Sequence, residues 1–296
     1  MRIIDQSLPI EAQTAYECVT VSAEGANSAG GYCLQNENAV RVYVNGEPAM
    51  TLMCSADHLV ELVVGRLYTE GLVGSVDDID EVWLCEYSTR VLVYLTDRTA
   101  QPVGAAEGVV ATCCTFNKNL SGSFVRADQM QPVQPIVWRP EDIFALARTF
   151  EADSPMHRKS FGAHSCILAR GAQVLYRFED LGRHNAFDKV IGRVLIDGVD
   201  LGQCTVFTSG RIPTDMMAKA VRAHVPVLAS KAVPTDLTVE MARTFRMALI
   251  CSAHSDSFRV FNDPLAVVDD QGVLARAAAR SEVVGVEDVT DRLRAV

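Results

Sequence analysis

The chain has 296 residues, of which 49% are hydrophobic and 22% charged, and this composition is typical of a globular protein that buries a sizeable core. Its formal net charge of −10, without any run rich in Lys or Arg, argues against a nucleic-acid backbone as partner. The sequence holds no stretch of the roughly 18 to 20 apolar residues that a membrane helix needs. The first residues lack the apolar core of a signal peptide, so we expect a cytoplasmic protein with no membrane partner.

The first part of the chain predicts strands around one helix. Valines alternate along Asn38–Met53 and precede Asn45–Gly46, which predicts a β-hairpin because this dipeptide adopts the positive φ angles of a tight turn. Ser55 is the predicted N-cap of a helix whose apolar residues recur at helical spacing and which ends at Gly71. Two further strands are predicted, over Glu81–Cys85 and Arg90–Leu95.

After residue 138 the pattern becomes an alternation of strands and helices. Pro140 opens a predicted helix with acidic residues in its first turn, as the helix dipole favours. The alternation that follows is typical of an α/β layer with a partly parallel sheet. The predicted strands are Ser165–Ala169, Val174–Phe178, Cys204–Thr208, Val225–Ala229 and Ala248–Cys251, and the predicted helices are Asn185–Ile196, Thr214–Ala223 and Leu237–Phe245.

These patterns predict an α/β protein in three parts. Residues 1–138 form a smaller α+β domain that includes a polar segment, residues 101–135. Residues 139–264 form an α/β domain, and residues 265–296 form a tail to which the sequence assigns no role.

The nine cysteines are scattered singly except for the pair Cys113–Cys114. The seven single cysteines lie within or beside apolar segments, and we predict that they are small buried hydrophobic residues. The pair lies in the polar segment, which is longer than an ordinary connection. A thiol accepts sulfur as a thiolate in an accessible, polar place, and Lys118 would lower the pKa of a nearby thiol. From the residues alone the pair is incidental, a redox-sensitive vicinal pair or a sulfur acceptor.

The densest charged stretch is Glu179–Lys189, EDLGRHNAFDK, which lies between apolar segments. His184 and Asp188 are four residues apart and would share a helix face, where the carboxylate would orient the imidazole. So much charge between apolar elements indicates a cleft. The alternative is a solvated helix start with routine ion pairs.

Polar junctions follow the last three predicted strands, at Thr208–Arg211, Lys231–Thr235 and Ser252–Ser257. Carboxyl ends of parallel strands meet at one edge of a sheet, so the junctions predict a nucleotide-like pocket there. In the first junction free backbone N–H groups would bind an anion, Gly210 would let a ligand approach, and Arg211 would contact a phosphate. In the second, Thr235 is the predicted N-cap. The third junction suits an ordinary hairpin turn equally well.

From about Glu37 to Pro264 the chain resembles the FdhD family of formate dehydrogenase accessory proteins. The resemblance rests on VNGEPAMTLMCSADHLVELVVGRLYTEG, FGAHSCIL, EDLGRHNAFDKVIGR, FTSGR and PVLASKAVPTDLTVEMA in this order, of which EDLGRHNAFDK is the most specific. It implies that the second domain is similar in fold to cytidine deaminases. It also implies a sulfur carrier, or sulfurtransferase, that takes persulfide sulfur from a cysteine desulfurase. The sulfur passes to the molybdenum bis(molybdopterin guanine dinucleotide) cofactor of formate dehydrogenase, and the carrier is a homodimer.

The resemblance also implies the site residues. Cys113 or Cys114 falls where the first cysteine of the family's C-x-x-C sulfur loop belongs, so the pair is expected to be catalytic. The segment SAHSDS resembles the family's cofactor-binding segment, and no metal site is expected. The expected cofactor-binding residues are Ser252, Ala253, His254, Ser255, Asp256, Ser257, Arg183, His184, Ser209, Arg211 and Thr235.

The chain departs from the family pattern in two places. The second cysteine position of the sulfur loop falls on Phe116 or Asn117, so the C-x-x-C spacing is lost. SAHSDS holds no Lys or Arg, which leaves the cofactor's phosphates to be neutralised by basic residues elsewhere. The candidates for that role are Arg183, Lys189, Arg211 and Lys231.

Two other functions follow from these departures and from the fold. An altered sulfur loop favours a non-catalytic chaperone that delivers the molybdenum cofactor to formate dehydrogenase or a related molybdoenzyme. The fold alone would suit a zinc-dependent deaminase. That chemistry requires H-x-E or C-x-E followed by P-C-x-x-C, and this sequence has no C-x-x-C.

Overall fold

A computed structural model describes residues 1–25, 27–100, 109–110, 130–152, 162–268 and 274–276. The pair Cys113–Cys114, with most of the polar segment around it, lies outside the described residues. So does most of the tail after residue 268. Among the described residues, no helix is both long and apolar enough to cross a bilayer.

The first six-stranded sheet is built from residues 2–110. Its strands lie in the order β1, β6, β7, β4, β5, β8, with β1–β6, β7–β4 and β5–β8 parallel and the other pairs antiparallel. One helix, α1 (Leu59–Thr69), packs on it. The strands are β1 (Arg2–Asp5), β4 (Asn38–Val44), β5 (Glu47–Cys54), β6 (Ile79–Leu84), β7 (Arg90–Leu95) and β8 (Val109–Val110).

The second six-stranded sheet is built from residues 164–262, in the order β10, β9, β11, β12, β13, β14. Strands β11, β12 and β13 are parallel, and the other three are antiparallel to their neighbours. The strands are β9 (His164–Arg170), β10 (Gln173–Asp180), β11 (Thr205–Thr208), β12 (Val227–Ser230), β13 (Ala248–Cys251) and β14 (Arg259–Asn262). The helices are α2 (Pro140–Ala152), α3 (Arg183–Asp197), α4 (Thr214–Arg222) and α5 (Asp236–Thr244).

Both faces of the second sheet are buried, as is usual for a sheet with parallel strands. Helix α2 covers one face, where Phe207 and Ile250 point, and helices α3, α4 and α5 cover the other, where Val206 and Leu249 point. Helix α3 is also covered on its outer side by α1, so that Leu195 contacts the cores of both sheets. The layers therefore run from α2 through the second sheet, the three helices and α1 to the first sheet.

The predicted α/β class is confirmed, and the periodic segments formed the predicted elements with ends shifted by at most a few residues. Asn45 and Gly46 have φ angles of 51° and 89°, as the predicted hairpin turn requires. The prediction for Ser55 is wrong. Helix α1 begins at Leu59, His58 is its N-cap without a side-chain hydrogen bond, and the Ser55 hydroxyl is used in a buried cluster described below. The domain boundary near residue 138 stays a prediction.

Strands β2 (Gln13–Val21) and β3 (Asn27–Gln35) form a separate antiparallel hairpin that the sequence patterns did not predict. Almost every residue of this hairpin is exposed on both of its faces. Cys18 and Cys33 lie on it and are exposed, so the prediction of burial is wrong for these two cysteines. A second small hairpin, β15 (Ala266–Val268) and β16 (Leu274–Arg276), follows the second sheet.

Candidate functional site

The three polar junctions meet at one edge of the second sheet, which we call the carboxyl edge because β11, β12 and β13 all end there. The antiparallel strand β9 begins at this edge, which places His164 beside the first junction. The Ser209 hydroxyl lies 3.0 Å from His164 Nδ1 and accepts a hydrogen bond from the backbone N–H of Ser165 at 3.1 Å. The predicted convergence of the junctions is therefore what the fold produces.

The expected cofactor-binding residues differ in how far they reach the surface of this edge. Arg183, His184 and Ala253 are buried, while Ser209 and Ser252 are half-buried. The remaining six are exposed, namely Arg211, Thr235, His254, Ser255, Asp256 and Ser257.

Several backbone N–H groups of the first two junctions, one of them in the junction where free N–H groups were expected, are used inside the protein. Ser209 donates its N–H to the Ser165 carbonyl, Lys231 to Thr208, and Thr235 to Ile212, at 3.0 to 3.3 Å. These bonds tie the first two junctions to each other and to the sheet. An anion at this edge is therefore left to side chains more than the sequence predicted.

Gly210 allows the side chain of Arg183, and not a ligand, to approach the backbone closely. A Cβ built on Gly210 would lie 2.7 Å from Arg183 Cδ and 2.9 Å from Arg183 Cβ. The stem of Arg183 therefore occupies the space that the sequence assigned to a ligand. Any side chain at position 210 would displace Arg183.

The partner of His184 is Asp215, and the predicted pairing with Asp188 is wrong. His184 Nε2 lies 2.9 Å from Asp215 Oδ2, and both side chains are about nine-tenths buried. Burial alone raises the pKa of Asp215, but the hydrogen bond and charge of His184 outweigh it and hold that pKa below its ordinary value. His184 opens α3 and Asp215 opens α4, so the pair joins the starts of two helices at the carboxyl edge.

Asp188 instead joins α3 to α1 and α4. Its carboxylate accepts a hydrogen bond from the Thr69 hydroxyl at 2.7 Å and lies 2.9 Å from Lys219 Nζ and 3.4 Å from Arg66 Nη1. Glu70 completes this buried cluster at 2.9 Å from Lys219 and 3.2 Å from Arg66. Each buried charge has an opposite charge within reach, which is the condition under which burial of an ion is tolerated.

Lys189 has the same structural role toward the loop before α1. Its Nζ lies 2.8 Å from Asp180 and 2.8 Å from Asp57, and it donates to the Ser55 hydroxyl at 2.7 Å. Burial lowers the pKa of Lys189, but the two carboxylates outweigh burial and raise that pKa above its ordinary value. Because Lys189 is fully buried and paired, the prediction that it neutralises cofactor phosphates is wrong.

The segment EDLGRHNAFDK is therefore neither a solvated helix start nor the wall of an open cleft. Arg183 to Lys189 are all buried between the second sheet and α1. Asn185 extends this pattern, because its side-chain amide donates to the Met53 carbonyl at 2.8 Å and to Asp180 at 2.9 Å. The segment fixes the position of the carboxyl edge relative to the first sheet.

Two glycines bring α1 and α3 into backbone contact. A Cβ on Gly65 would lie 1.9 Å from the Asp188 carbonyl oxygen, and one on Gly192 would lie 1.8 Å from the Glu61 carbonyl oxygen. No side chain fits at either position, so the spacing of the two helices requires glycine in both.

The buried cysteines behave as the sequence predicted. Burial raises the pKa of Cys54, Cys166, Cys204 and Cys251, the last to about 12, so all four are protonated at neutral pH. Burial also acts on Cys85, but hydrogen bonds from Thr89 and neighbouring backbone groups leave its pKa lowered.

Sequence reasoning did not find Ser55 and Asp57 as partners of Lys189, or Asp215 as the partner of His184. Asp215 was visible only as an acidic residue in a first helical turn, and Asp57 as one ahead of α1. A position in or near the first turn of a helix does not identify a partner more than thirty residues away in the sequence. Glu151, from the end of α2, also reaches the carboxyl edge without any signal in the sequence.

Comparison with known proteins agrees with this arrangement. The sequence pattern of the FdhD/NarQ family matches residues 35–268, more than three quarters of the chain. The chain belongs to the FdhD/NarQ family. This confirms the resemblance drawn from the motifs, and the match begins at Gln35, so it leaves out nearly all of the β2–β3 hairpin.

Relatives named sulfur carrier protein FdhD align along most of the chain. The protein of Methanothermobacter thermautotrophicus is 30% identical over 234 residues, which cover 79% of this chain and 90% of the relative. That of Listeria innocua is 29% identical over 234 residues (76% and 88%), and that of Bacillus subtilis 28% over 229 residues (77% and 87%). A crystal structure described as a formate dehydrogenase accessory protein from Desulfotalea psychrophila superposes with a TM-score of 0.71 at 22% identity. It covers 86% of this chain and 98% of its own, and therefore shares the fold.

Proposed function

We propose that this chain is a cytoplasmic sulfur carrier that serves the maturation of a formate dehydrogenase or a related molybdoenzyme. The observation that carries the proposal is membership of the FdhD/NarQ family, with relatives named sulfur carrier protein FdhD along most of the chain. A cysteine desulfurase supplies the sulfur, and the molybdenum bis(molybdopterin guanine dinucleotide) cofactor receives it as cargo.

The sulfur step requires one accessible thiolate. The carrier thiolate attacks the outer sulfur of the desulfurase persulfide, a new S–S bond forms on the carrier, and the desulfurase cysteine leaves as a thiolate. We assign this role to Cys113 or Cys114. Burial keeps Cys54, Cys166, Cys204 and Cys251 as unreactive thiols, which supports an acceptor elsewhere in the chain.

The carboxyl edge is the proposed position of the guanine nucleotide end of the cofactor. Three junctions converge there, and they offer hydroxyl and imidazole groups with the exposed guanidinium of Arg211. Ligands of α/β sheets bind at such an edge because the loops after parallel strands meet there. Of the four basic candidates, Arg211 and Lys231 are left to meet phosphates, since Lys189 and the Arg183 stem are buried.

A homodimer is proposed through the β2–β3 hairpin. An isolated two-stranded hairpin is marginal in water, yet this one exposes apolar side chains on both faces. Two nine-residue strands present a face of about 30 by 10 Å, or about 300 Å². In a symmetric dimer each hairpin covers an equal area of the other copy, so the two contacts together bury about 1,200 Å² of surface. This is the lower limit for a specific interface. The exposed apolar side chains are Tyr16, Val19, Val21, Tyr32 and Leu34.

The dimer is tested by light scattering after size exclusion. Val19→Lys with Val21→Lys is expected to give a monomer with an unchanged circular dichroism spectrum, because both residues are exposed in one copy. A wild-type protein that is monomeric at a concentration of about 50 μM would contradict this part of the proposal. So would a Val19→Lys, Val21→Lys variant that stays dimeric.

The sulfur step is tested by intact-mass spectrometry after incubation with a cysteine desulfurase and cysteine. The background is Cys18→Ser with Cys33→Ser, because both thiols are exposed and would otherwise take sulfur adventitiously. We expect the mass to increase by one sulfur atom and the increase to be reversed by reductant. One of the two variants, Cys113→Ala or Cys114→Ala, is expected to abolish the increase and thereby to identify the acceptor.

The altered cysteine spacing favours one alternative, a chaperone that holds the molybdenum cofactor without transferring sulfur. In the same assay, the decisive result is sulfur gained by a control carrier but not by this protein, with Cys113 and Cys114 intact in the Cys18→Ser, Cys33→Ser background. That result would contradict the sulfur carrier and favour the chaperone.

A further inference from the structure

Two loops of the carboxyl edge direct their polar groups at one carboxylate of the protein itself. Glu151 Oε1 lies 3.4 Å from Lys231 Nζ, in the loop after β12, and 3.6 Å from His254 Nδ1, in the loop after β13. Burial raises the pKa of Glu151, but hydrogen bonding to Ser255 and the charge of Lys231 together outweigh burial and leave that pKa below its ordinary value. An ammonium from one loop and an imidazole from the other thus lie within ion-pair distance of one carboxylate.

The helix that carries Glu151 does not itself stabilise the carboxylate. Glu151 is the second-last residue of α2, at the negative end of the helix dipole, where a carboxylate is unfavourable. Lys231 is held in place from two sides, by its N–H bond to Thr208 and by the Phe150 ring 6.0 Å away. The two loops therefore form the favourable surroundings of the carboxylate, and the helix does not.

We propose that Glu151 is a built-in competitor at an anion-binding position formed by Lys231, His254 and Ser255, which a phosphate group of the ligand must displace. The proposal rests on the proposed function, in which a guanine nucleotide lies at this edge. Glu151, Lys231 and His254 are each about one third to one half exposed, so an incoming anion reaches them. With the carboxylate in place the charge of Lys231 is neutralised, and without it that charge attracts a phosphate.

The consequence is a specificity that depends on charge. A diphosphate carries enough negative charge to replace the Glu151 carboxylate, whereas a nucleoside lacking phosphate gains nothing from its removal. Glu151 therefore lowers the affinity for every anion at this position and leaves the recognition of the base unchanged.

The test measures dissociation constants of GDP, pyrophosphate and guanosine by calorimetry with the full chain at fixed ionic strength. Glu151→Gln keeps the shape of the side chain and removes its charge, and we expect GDP and pyrophosphate to bind about five- to tenfold more tightly. Guanosine is expected to change less than about twofold. Lys231→Met is expected to weaken GDP about tenfold and to remove most of the gain from Glu151→Gln, as a shared site requires.

The matched control is Glu141→Gln, which removes the same charge from the first turn of the same helix. Ten residues of helix place it about 15 Å from Glu151, beyond the screening length at physiological salt, so GDP affinity is expected to stay within twofold.

Unchanged or weaker binding of GDP to Glu151→Gln, with clear binding to the wild type, would overturn the competitor role and leave the proposed nucleotide site intact. Failure of GDP and guanosine to bind any variant would overturn both.

Discussion

Gly192→Ala tests the backbone contact between α1 and α3. Alanine in place of glycine inside a helix stabilises it by about 1 kcal/mol through propensity alone. Here the added Cβ would lie 1.8 Å from the Glu61 carbonyl oxygen, and moving it out to 3.0 Å requires the two backbones to separate by about 1.2 Å. Neither backbone is a flexible group, so the whole crossing must open.

The loss of stability follows from the hydrogen bond between Thr69 and Asp188, which lies beside the crossing of α1 and α3. Opening it by about 1.2 Å stretches the 2.7 Å bond from Thr69 to Asp188 to nearly 4 Å, beyond hydrogen-bond range. Loss of a hydrogen bond to a charged group costs about 1.5 to 3 kcal/mol, and overpacking a further 1 to 3 kcal/mol. After the propensity gain we expect a net destabilisation of about 3 kcal/mol.

Thermal unfolding followed by circular dichroism measures this effect. The midpoint is expected to fall by about 5 to 10 °C, and Gly65→Ala is expected to behave alike. The control is Gly74→Ala, where the new Cβ would meet its nearest neighbour at an ordinary 3.4 Å and the midpoint should hardly move. A midpoint for Gly192→Ala above that of the wild type would contradict this prediction, because helix propensity would then outweigh the backbone contact.

Three further predictions concern buried charges and thiols. Lys189→Met removes the cation from the buried carboxylate of Asp180 and from the half-buried Asp57, and it should lower the unfolding free energy by about 3 to 5 kcal/mol in urea. Arg193→Met, on the exposed side of the same helix, should cost less than about 1 kcal/mol. Lys189 outweighs burial and lowers the pKa of Asp57, so the contribution of Asp57 to stability is full above its unfolded pKa of about 3.9 and is lost as pH falls through the folded value. The stability difference between wild type and Asp57→Asn should therefore shrink from pH 7 to pH 3, and a constant difference would contradict this. Iodoacetamide at pH 8 should label Cys18 in the native protein and Cys251 only after denaturation, as read by peptide mass spectrometry, because burial raises the pKa of Cys251 to about 12.

Local pattern was sufficient for most elements of the fold. Alternation before Asn45–Gly46 and the apolar repeat that begins at Leu59 depend on contacts within a few residues, so the sequence alone predicts the hairpin and α1. The convergence of the junctions at the carboxyl edge was equally predictable, because parallel neighbours must end on the same side. The β2–β3 hairpin was missed, because its strands carry no alternation between a buried and an exposed face.

The partners of the charged residues were decided by tertiary structure. Spacing paired His184 with Asp188, but α4 brings Asp215 to His184, and α1 brings Arg66 to Asp188. The sequence correctly marked EDLGRHNAFDK as exceptional, yet whether its charges face a ligand or other buried charges depends on which helix packs above it. A charge pairs with the nearest opposite charge in space, and the packing of α1 and α4 against α3 determines that neighbour here.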